Sequence, residues 1–220
     1  MEKTALVTGA SSGIGEGCAR KFAMNGHRLI LNGRNVEKLN AVKDELEEKY
    51  GVEVWLLPFD VRDRAAARAA LDSLPEEWKA IDVLVNNAGV VPGMVERGRG
   101  HVINMGSIAG DYAYPGGSVY CACKAAVKAL SDGLRIDLVD TPIRVTNVKP
   151  GLVETNFSVV RFRGDKAAAD NVYEGLRPLT GDDVAEVVYF AASLPEHIQI
   201  AEVLVMPTNQ ATGTIAYRKK

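Results

Sequence analysis

The chain has 220 residues, of which 47% are hydrophobic and 25% are charged, and its formal net charge is −2. This composition is ordinary for a globular domain, and it excludes a disordered, a collagen-like and a disulfide-rich chain. The near balance of charge gives no reason to expect a nucleic-acid partner or an anionic membrane surface. We expect one folded domain over residues 1–220.

The elements alternate along the chain. Short apolar runs predict strands, and apolar residues at helical spacing predict helices. In chain order the patterns predict a strand at Thr4–Thr8, a helix from Ile14 to Gly26, a strand at Arg28–Leu31, a helix from Val36 to about Tyr50, a strand at Val52–Pro58, a helix at Asp63–Leu74, strands at Ile81–Val85 and His101–Met105, a helix at Ser118–Val139, a strand at Ile143–Val148, a helix at Asp182–Leu194 and a strand at Glu202–Met206.

The predicted strands are apolar throughout instead of alternating, which is typical of strands buried on both faces of a parallel sheet. The fold class is therefore α/β, a single Rossmann-type doubly wound parallel sheet with helices on both faces. Residues 155–179 form an irregular insertion with an Arg-rich start and a short Ala-rich helix, which we interpret as a substrate loop.

Cysteine usage and the opening residues indicate a reducing, cytoplasmic setting. Cys18, Cys121 and Cys123 are too few for a disulfide framework and are expected to be small buried apolar residues. No apolar run approaches the roughly 18 residues of a membrane span. The chain passes from Met-Glu-Lys directly into an apolar run without a signal-peptide pattern. We expect a cytoplasmic protein with no membrane partner.

Isolated histidines give no support for a metal. His27, His101 and His197 stand far apart and show no ligand spacing. No metal site is therefore predicted.

A glycine-rich turn follows the first predicted strand and opens the first helix. Glycines allow a backbone to turn sharply and approach a diphosphate, and a helix N-terminus offers free N–H groups to an anion. The spacing is Gly-x-x-x-Gly-x-Gly, so the strand-turn-helix context carries the dinucleotide interpretation. The predicted cofactor-binding residues of this turn are Gly9, Ser11, Ser12, Gly13, Ile14 and Gly15.

The end of the second strand distinguishes NADP from NAD. An acid at this place favours NAD, whereas a neighbouring arginine accommodates the 2′-phosphate of NADP. The sequence here is Asn32-Gly33-Arg34-Asn35, with no carboxylate. Arg34 and Asn35 are therefore predicted to bind the cofactor, and NADP is expected rather than NAD. The alternative is that Arg34 is a solvated surface residue.

Three polar residues have the spacing of an acid–base site. Ser107 follows the fifth strand, Tyr120 comes thirteen residues later, and Lys124 lies one helical turn beyond Tyr120. A lysine ammonium nearby is expected to lower the pKa of the tyrosine, and the serine can donate a hydrogen bond to a substrate oxygen. The three residues predict a site at which a hydroxyl group loses a proton while hydride passes to nicotinamide.

Together these motifs resemble the short-chain dehydrogenase/reductase family over nearly the whole chain. The resemblance implies that Ser107, Tyr120 and Lys124 are catalytic, that Ser107 and Tyr120 contact the substrate, and that Tyr120 and Lys124 also contact the cofactor. Further residues match the adenine-binding pair, the Asn-Asn-Ala-Gly strand end and the nicotinamide segment of the family. By resemblance the additional cofactor-binding residues are Asp60, Val61, Asn87, Ala88, Gly89, Pro150, Gly151, Val153 and Thr155.

A narrower resemblance concerns the substrate. Residues 74–78, 92–97, 150–157, 160–164 and 206–207 are similar to those of NADP-dependent 3-hydroxy acid dehydrogenases. That subgroup implies a short β-hydroxy acid such as serine, L-allo-threonine or 3-hydroxypropionate. Arg161 and Arg163 then become candidates to bind its carboxylate, or are solvated charges. The family also implies a homo-oligomer, with a tetramer expected. The tail at 208–220 could close over the active site or dock on a neighbouring subunit.

The chain departs from the family between the fourth and fifth strands. Only eleven residues separate Gly89 from His101, whereas a parallel crossover needs a dozen or more. A helix of about thirty residues, with the family's active-site asparagine, is missing. Either the natural protein contains a segment absent from this sequence, which we favour, or the chain is truly deleted. A true deletion is expected to leave no covering helix and an exposed apolar patch on the sheet.

The predicted activity is hydride transfer between NADP and a short β-hydroxy acid. Two alternatives stay open. The short crossover favours a non-catalytic NADP-binding protein, and the same scaffold also serves ketone or sugar carbonyl reductases.

Overall fold

The computed structural model describes residues 3–85 and 91–219. Its strands are β1 (Thr4–Val7), β2 (Arg28–Leu31), β3 (Val54–Leu56), β4 (Val83–Val85), β5 (Gly100–Met105), β6 (Ile143–Pro150) and β7 (Glu202–Val205). Its helices are α1 (Gly13–Met24), α2 (Val36–Tyr50), α3 (Arg64–Asp72), α4 (Val91–Arg97), α5 (Ser118–Asp137), α6 (Asn156–Arg161), α7 (Lys166–Asn171) and α8 (Gly181–Ser193).

The strands form one parallel sheet in the order β3-β2-β1-β4-β5-β6-β7. Helices α1, α2 and α8 cover one face, where Phe22, Leu39 and Val188 are buried. Helices α3, α4 and α5 lie on the other face, where Met94 is buried and Leu134 packs against the core. The Rossmann-type doubly wound architecture predicted from the alternating patterns is confirmed.

Helix ends follow local sequence signals. The side chains of Asn35 and Asp63 accept hydrogen bonds from the first turns of α2 and α3. Thr180 and Asp183 form a reciprocal capping box at the start of α8. Gly26 follows α1 with a φ of 74°, the left-handed conformation expected of a residue that ends a helix.

The insertion at 155–179 contains two short helices. The Ala-rich helix predicted there is α7, while α6 was not predicted. Six residues of mixed character give no clear helical period, so α6 could not be recognised from the sequence pattern.

The crossover from β4 to β5 is short, as predicted, but it does contain a covering helix. Helix α4 has seven residues, and its Met94 is fully buried. The expectation of no helix was wrong because the crossover has only a short distance to cover. Strand β4 has three residues in the sheet, so the chain must return along a strand length of only about 10 Å. Seven helical residues also rise about 10 Å, so this helix can span the return.

The bare patch expected of a true deletion is not seen on this face of the sheet in the part of the chain that the structure describes. Leu84 on β4 and Val102 on β5 are buried beneath this face. The exposed surface lies instead on helix α5, which packs over this face of the sheet. Of its twenty residues only Cys121 and Ser131 are buried. Cys123, expected to be buried, is exposed because it lies two positions from Cys121 and points away from the core.

Candidate active site

The glycine-rich turn connects β1 to α1 at the carboxyl edge of the sheet. Gly9 and Gly13 have φ values of 65° and 61°, which glycine adopts without strain. A Cβ on Gly15 would lie 2.3 Å from the carbonyl oxygen of Gly9, so no side chain fits there. Ser12 is the N-cap residue of α1 but makes no side-chain cap hydrogen bond in the described part of the chain. The turn therefore leaves the helix N-terminus open to an anion.

The end of β2 lies next to this turn. A Cβ on Gly33 would lie 3.3 Å from Ser11 Oγ, which places the residues after β2 against the turn. Asn32 is buried and donates hydrogen bonds to the carbonyl oxygens of Leu57 and Phe59, so it ties β2 to the end of β3. Arg34 follows in an exposed position. An exposed cation beside the glycine turn fits the extra phosphate of NADP.

Two other predicted cofactor residues already have partners. The side-chain oxygen of Asn35 accepts a hydrogen bond of 2.9 Å from Lys38 N and caps α2. The Asp60 carboxylate is bound by Arg62, whose Nη2 lies 2.6 Å from Oδ2. This pairing lowers the pKa of Asp60, and the charge of Arg34 adds a smaller effect of the same sign. Val61 beside it is half exposed.

The nicotinamide segment reaches the glycine turn from β6. Thr155 is the N-cap residue of α6, and its Cγ2 would lie 3.2 Å from a Cβ on Gly13. Val153 pairs with Leu179 in an isolated bridge, and Gly151 N donates to the carbonyl oxygen of Val205 at 2.8 Å. Of this segment, Thr155 therefore lies against the glycine turn, and the cofactor roles of Pro150, Gly151, Val153 and Thr155 stay predictions. Asn87, Ala88 and Gly89 lie outside the described residues.

Ser107, Tyr120 and Lys124 come together beyond the end of β5. Ser107 caps a 3₁₀ turn at Ile108–Gly110 and accepts a hydrogen bond of 3.1 Å from Ala109 N. Its hydroxyl also donates to the carbonyl oxygen of Pro150 at 3.5 Å. Its effect on Tyr120 is to lower the pKa of the phenol. Lys124, one turn along α5, places its ammonium 5.8 Å from the centre of the Tyr120 ring. The structure therefore brings the three predicted residues together, and their catalytic role stays a prediction.

The pKa of Tyr120 is raised in this arrangement, not lowered as expected, and the effect of Lys124 on it stays a prediction. Burial raises the pKa of Tyr120, and this outweighs the opposing effects of the Ser107 hydrogen bond and the Arg161 charge. Lys124 donates to the carbonyl oxygen of Met105 at 2.8 Å, and burial lowers its own pKa. Sequence spacing cannot reveal this burial, which is why the sign was missed.

The two predicted substrate arginines are placed differently. Arg161 ends α6, and its guanidinium carbon lies 5.3 Å from the ring centre of Tyr114. Its positive charge lowers the pKa of the Tyr120 hydroxyl. Arg163 is exposed and has a φ of 54°, in the left-handed region. Of the two arginines, Arg161 is therefore the one whose charge lowers the pKa of Tyr120.

Sequence reasoning missed three residues that shape the site. Tyr114 packs under Arg161, Phe157 lies 5.4 Å from the Tyr120 ring, and Gln210 accepts a hydrogen bond from Leu152 N at 2.8 Å. Tyr114 and Phe157 lie close to predicted residues, so their aromatic character was an available signal. Gln210 had none, because nothing in the sequence places the tail beside Leu152.

The C-terminal tail docks on its own chain. Arg218 donates to the carbonyl oxygens of Val172 and Glu174, and Lys219 N donates to that of Gly175. The structure thus places the end of the tail against residues 172–175, and the two possibilities raised by the sequence, closure over the active site and docking on a neighbouring subunit, stay predictions.

The described ranges contain neither a metal site nor a membrane-spanning helix. Residues 3–85 and 91–219 contain no group of three His, Cys, Asp or Glu side chains able to hold a metal ion. None of the helices in these same ranges has both the length and the apolar character to cross a membrane.

Comparison with known proteins decides the family. The model of the family described as short chain dehydrogenase matches residues 3–93 and 89–165. The chain belongs to this family. The two matched ranges meet at residues 89–93, where the short crossover begins, so the short-chain dehydrogenase pattern is interrupted at that place.

Relatives in this family are similar over almost the whole chain. An NADP-dependent 3-hydroxy acid dehydrogenase, YdfG of Salmonella typhi, is 45% identical over 248 residues, covering 97% of this chain and 98% of the relative. Sulfoacetaldehyde reductase 2 of Chromohalobacter salexigens is 39% identical, with 98% of each chain covered. The closed form of a serine dehydrogenase complexed with NADP+ superposes with a TM-score of 0.91 at 41% identity, covering 99% of this chain and 100% of that one.

These comparisons confirm the predicted family and the oxidoreductase class, and the predicted NADP agrees with the cofactor named for the 3-hydroxy acid dehydrogenase and the serine dehydrogenase. They also show that this chain is shorter than the alignment. An alignment of 248 positions holds at most 220 residues of this chain, so at least 28 positions, 248 minus 220, have no residue here.

Proposed function

We propose that the protein transfers hydride between NADP and a short β-hydroxy acid such as serine, L-allo-threonine or 3-hydroxypropionate. The observation that carries this proposal is the joint position of Ser107, Tyr120 and Lys124 beyond the end of β5, where the Lys124 ammonium lies 5.8 Å from the centre of the Tyr120 ring. These residues lie at the same carboxyl edge of the parallel sheet as the glycine turn. Relatives named as 3-hydroxy acid dehydrogenase and serine dehydrogenase support the substrate class.

Each of the predicted site residues has a separate role in the proposed hydride transfer. NADP+ supplies the hydride acceptor when bound, and it would be held by the glycine turn, Arg34 and the segment from Pro150 to Thr155. In the oxidation, Tyr120 takes the proton of the substrate hydroxyl while the C–H bond gives up hydride. Ser107 donates a hydrogen bond to the substrate oxygen, and Lys124 supplies a positive charge beside the phenol. In the reduction, Tyr120 returns the proton.

Arg161 is the residue that we assign to the substrate carboxylate. Its charge lies close enough to the Tyr120 hydroxyl to affect the pKa of that group, as a clamp for a β-hydroxy acid requires. The ring of Tyr114 beneath the guanidinium holds it by a cation–π contact, which leaves its N–H groups for an anion. A relative named for sulfoacetaldehyde also points to a substrate that carries an anion next to the reacting carbon.

The first experiment compares substrates with NADP+. We expect turnover of L-serine, L-allo-threonine and 3-hydroxypropionate, and a much lower kcat/KM for an uncharged secondary alcohol of the same size. Tyr120→Phe is expected to abolish turnover and leave the Kd for NADP+ nearly unchanged. Equal kcat/KM for acid and uncharged alcohol would instead favour a general carbonyl reductase, and turnover by Tyr120→Phe at the parent rate would remove Tyr120 from its role.

A matched pair of variants tests the clamp. Arg161→Gln is expected to raise KM for serine about tenfold or more, since a charged hydrogen bond is lost, and to leave KM for the uncharged alcohol unchanged. Arg163→Gln, two residues along the same loop, is the control and should behave as the parent. Parallel losses on both substrates in Arg161→Gln would show that the arginine supports the loop and not the carboxylate.

A second candidate is a non-catalytic NADP-binding protein. At least 28 positions of the alignment with a 3-hydroxy acid dehydrogenase have no residue in this chain, and this favours it. We place these positions at the short crossover, where the two ranges matched by the family meet. The intact mass of the native protein decides whether they are truly absent. A mass about 3 kDa or more above 23.7 kDa shows that the natural protein contains the segment. A mass of 23.7 kDa together with NADP binding and no turnover would place the binding function first.

A further inference from the structure

A buried lysine lies next to the catalytic serine but outside the site described above. Lys149, the last residue but one of β6, has a side chain only 7% exposed. Its ammonium lies 2.5 Å from Asp111 Oδ2 and 2.5 Å from Glu202 Oε1. Although burial lowers the pKa of Lys149, the two carboxylates outweigh it and the pKa is raised. The three residues, Asp111, Lys149 and Glu202, form one charged cluster.

The two carboxylates of the cluster are held by different structures. Glu202 begins β7, whose backbone is fixed by its ladder to β6. Asp111 follows the 3₁₀ turn that Ser107 caps, and it lies on a loop. Because Lys149 and Glu202 are both fixed by the sheet, the loop bearing Asp111 is the part whose position the ammonium determines.

The 3₁₀ turn connects Asp111 rigidly to Ser107. Gly110 N donates to the carbonyl oxygen of Ser107 at 3.0 Å, and Asp111 N donates to that of Ile108 at 3.0 Å. Gly106, on the other side of the serine, packs against β6, where a Cβ would lie 3.1 Å from Lys149 Cγ. The lysine therefore contacts the serine segment from both sides, at Gly106 and at Asp111.

We infer that Lys149 is a positioning residue, which fixes the Ser107 hydroxyl for reaction by anchoring Asp111. The inference rests on the proposed function in one respect, namely that Ser107 contacts the reacting oxygen. A displacement of a catalytic hydroxyl by about 1 Å can lower a rate about a hundredfold, so a loop anchor at this distance from the serine matters for turnover.

The test compares three variants in the full chain: Lys149→Met, Asp111→Asn and Glu202→Gln. Lys149→Met keeps the apolar stem and removes the charge, whereas Asp111→Asn changes only a partly exposed side chain and guards against misfolding of the first variant. Glu202→Gln is the matched control, because Glu202 lies at the same distance from the ammonium but away from the serine turn. We expect kcat to fall roughly ten- to hundredfold in the first two variants, with an unchanged Kd for NADP+, and to stay at the parent value in Glu202→Gln.

A second measurement does not depend on turnover. Amide hydrogen exchange at Gly110, Asp111 and Tyr112 reports the order of the turn, and we expect it to speed up roughly tenfold in Lys149→Met and Asp111→Asn, the effect of one lost charged hydrogen bond. Parent exchange in both variants would overturn the inference, as would equal effects of Glu202→Gln and Asp111→Asn on kcat and exchange. If the parent turns over no substrate, the proposed function fails, while the exchange comparison still decides the positioning role.

Discussion

The ammonium of Lys124 donates a hydrogen bond of 2.8 Å to the carbonyl oxygen of Met105. This bond joins α5 to the end of β5, two residues before Ser107. The lysine is thereby held beside the Tyr120 ring by the backbone of the strand that carries the serine. Its position is set before any ligand binds, which is what an acid–base site needs if its charge is to act without reorganisation.

Removing this charge is expected to abolish most turnover. Lys124→Met keeps the packing of the stem but loses the ammonium, and we expect kcat to fall at least about a hundredfold, the usual contribution of acid–base assistance. Lys128→Met is the control, since Lys128 lies one turn further on α5 in an exposed ion pair with Asp132. Steady-state kinetics with NADP+ check both, and a Lys124→Met enzyme at the parent kcat would contradict the assignment.

Arg34 is expected to determine the choice between NADP and NAD. In Arg34→Ala we predict that the Kd for NADP+ rises about tenfold or more, through loss of a charged hydrogen bond to the 2′-phosphate, and that the Kd for NAD+ does not change. Fluorescence titration measures both constants. Arg68→Ala removes another exposed arginine, paired with Asp72 on α3, and should have no effect. Equal losses for both cofactors in Arg34→Ala would show that Arg34 does not recognise the 2′-phosphate.

The pH dependence of the oxidation should respond to Arg161. The positive charge of Arg161 lowers the pKa of Tyr120, which burial raises above its ordinary value. In Arg161→Gln that opposing effect is lost, so the pKa of Tyr120 rises further. Because oxidation needs the deprotonated tyrosine, the rising limb of the kcat profile, where kcat increases with pH, is expected to move to higher pH. Arg163→Gln should leave the limb in place, and a shift in the opposite direction would exclude an electrostatic role of Arg161.

Acid stability is expected to depend on His101. This side chain is buried, and burial lowers its pKa from 6.5 to about 3. The unfolded chain therefore binds a proton that the folded chain does not between these two values, so this contribution to the free energy of unfolding is lost as the pH falls from 6.5 towards 3. His101→Gln removes the titration while its amide can still donate to Thr146, the present partner of Nε2 at 2.7 Å.

Denaturant unfolding at several pH values between 6.5 and 4 measures this effect. In His101→Gln the free energy of unfolding should fall less steeply with decreasing pH than in the parent, by about one proton in the linkage slope. Identical slopes for the two proteins would show that other groups govern the acid transition.

Two glycines should respond to alanine with opposite signs. A Cβ at Gly15 would lie 2.3 Å from a backbone oxygen, so Gly15→Ala is expected to lower the free energy of unfolding by roughly 1–3 kcal/mol and to weaken NADP+ binding. Gly133 in α5 has nothing within 4 Å of such a Cβ, and Gly133→Ala is expected to raise the free energy of unfolding by about 0.5–1 kcal/mol. Thermal and urea unfolding check both, and equal effects would contradict the packing argument.

What could be predicted from the sequence has a local cause. The glycine turn, the strand-and-helix alternation and the spacing of Tyr120 and Lys124 all depend on residues within a few positions of one another. The Lys149 cluster could not be predicted, because Asp111 and Glu202 lie 38 and 53 positions away along the chain. The raised pKa of Tyr120 was missed for a similar reason, since burial depends on elements such as α6 that gave no clear pattern of their own.

The short crossover also bears on how the chain folds. Val83 pairs with His101 across eighteen positions, whereas Ala5 pairs with Val83 across seventy-eight. Closing the shorter loop costs about 1 kcal/mol less chain entropy. Thr4 and Arg28, which pair β1 with β2, lie twenty-four positions apart, so the β1–β2 and β4–β5 pairs both close short loops. We expect these two pairs to form first and the β1–β4 junction to join them afterwards, because that junction has the largest loop-closure cost of the three.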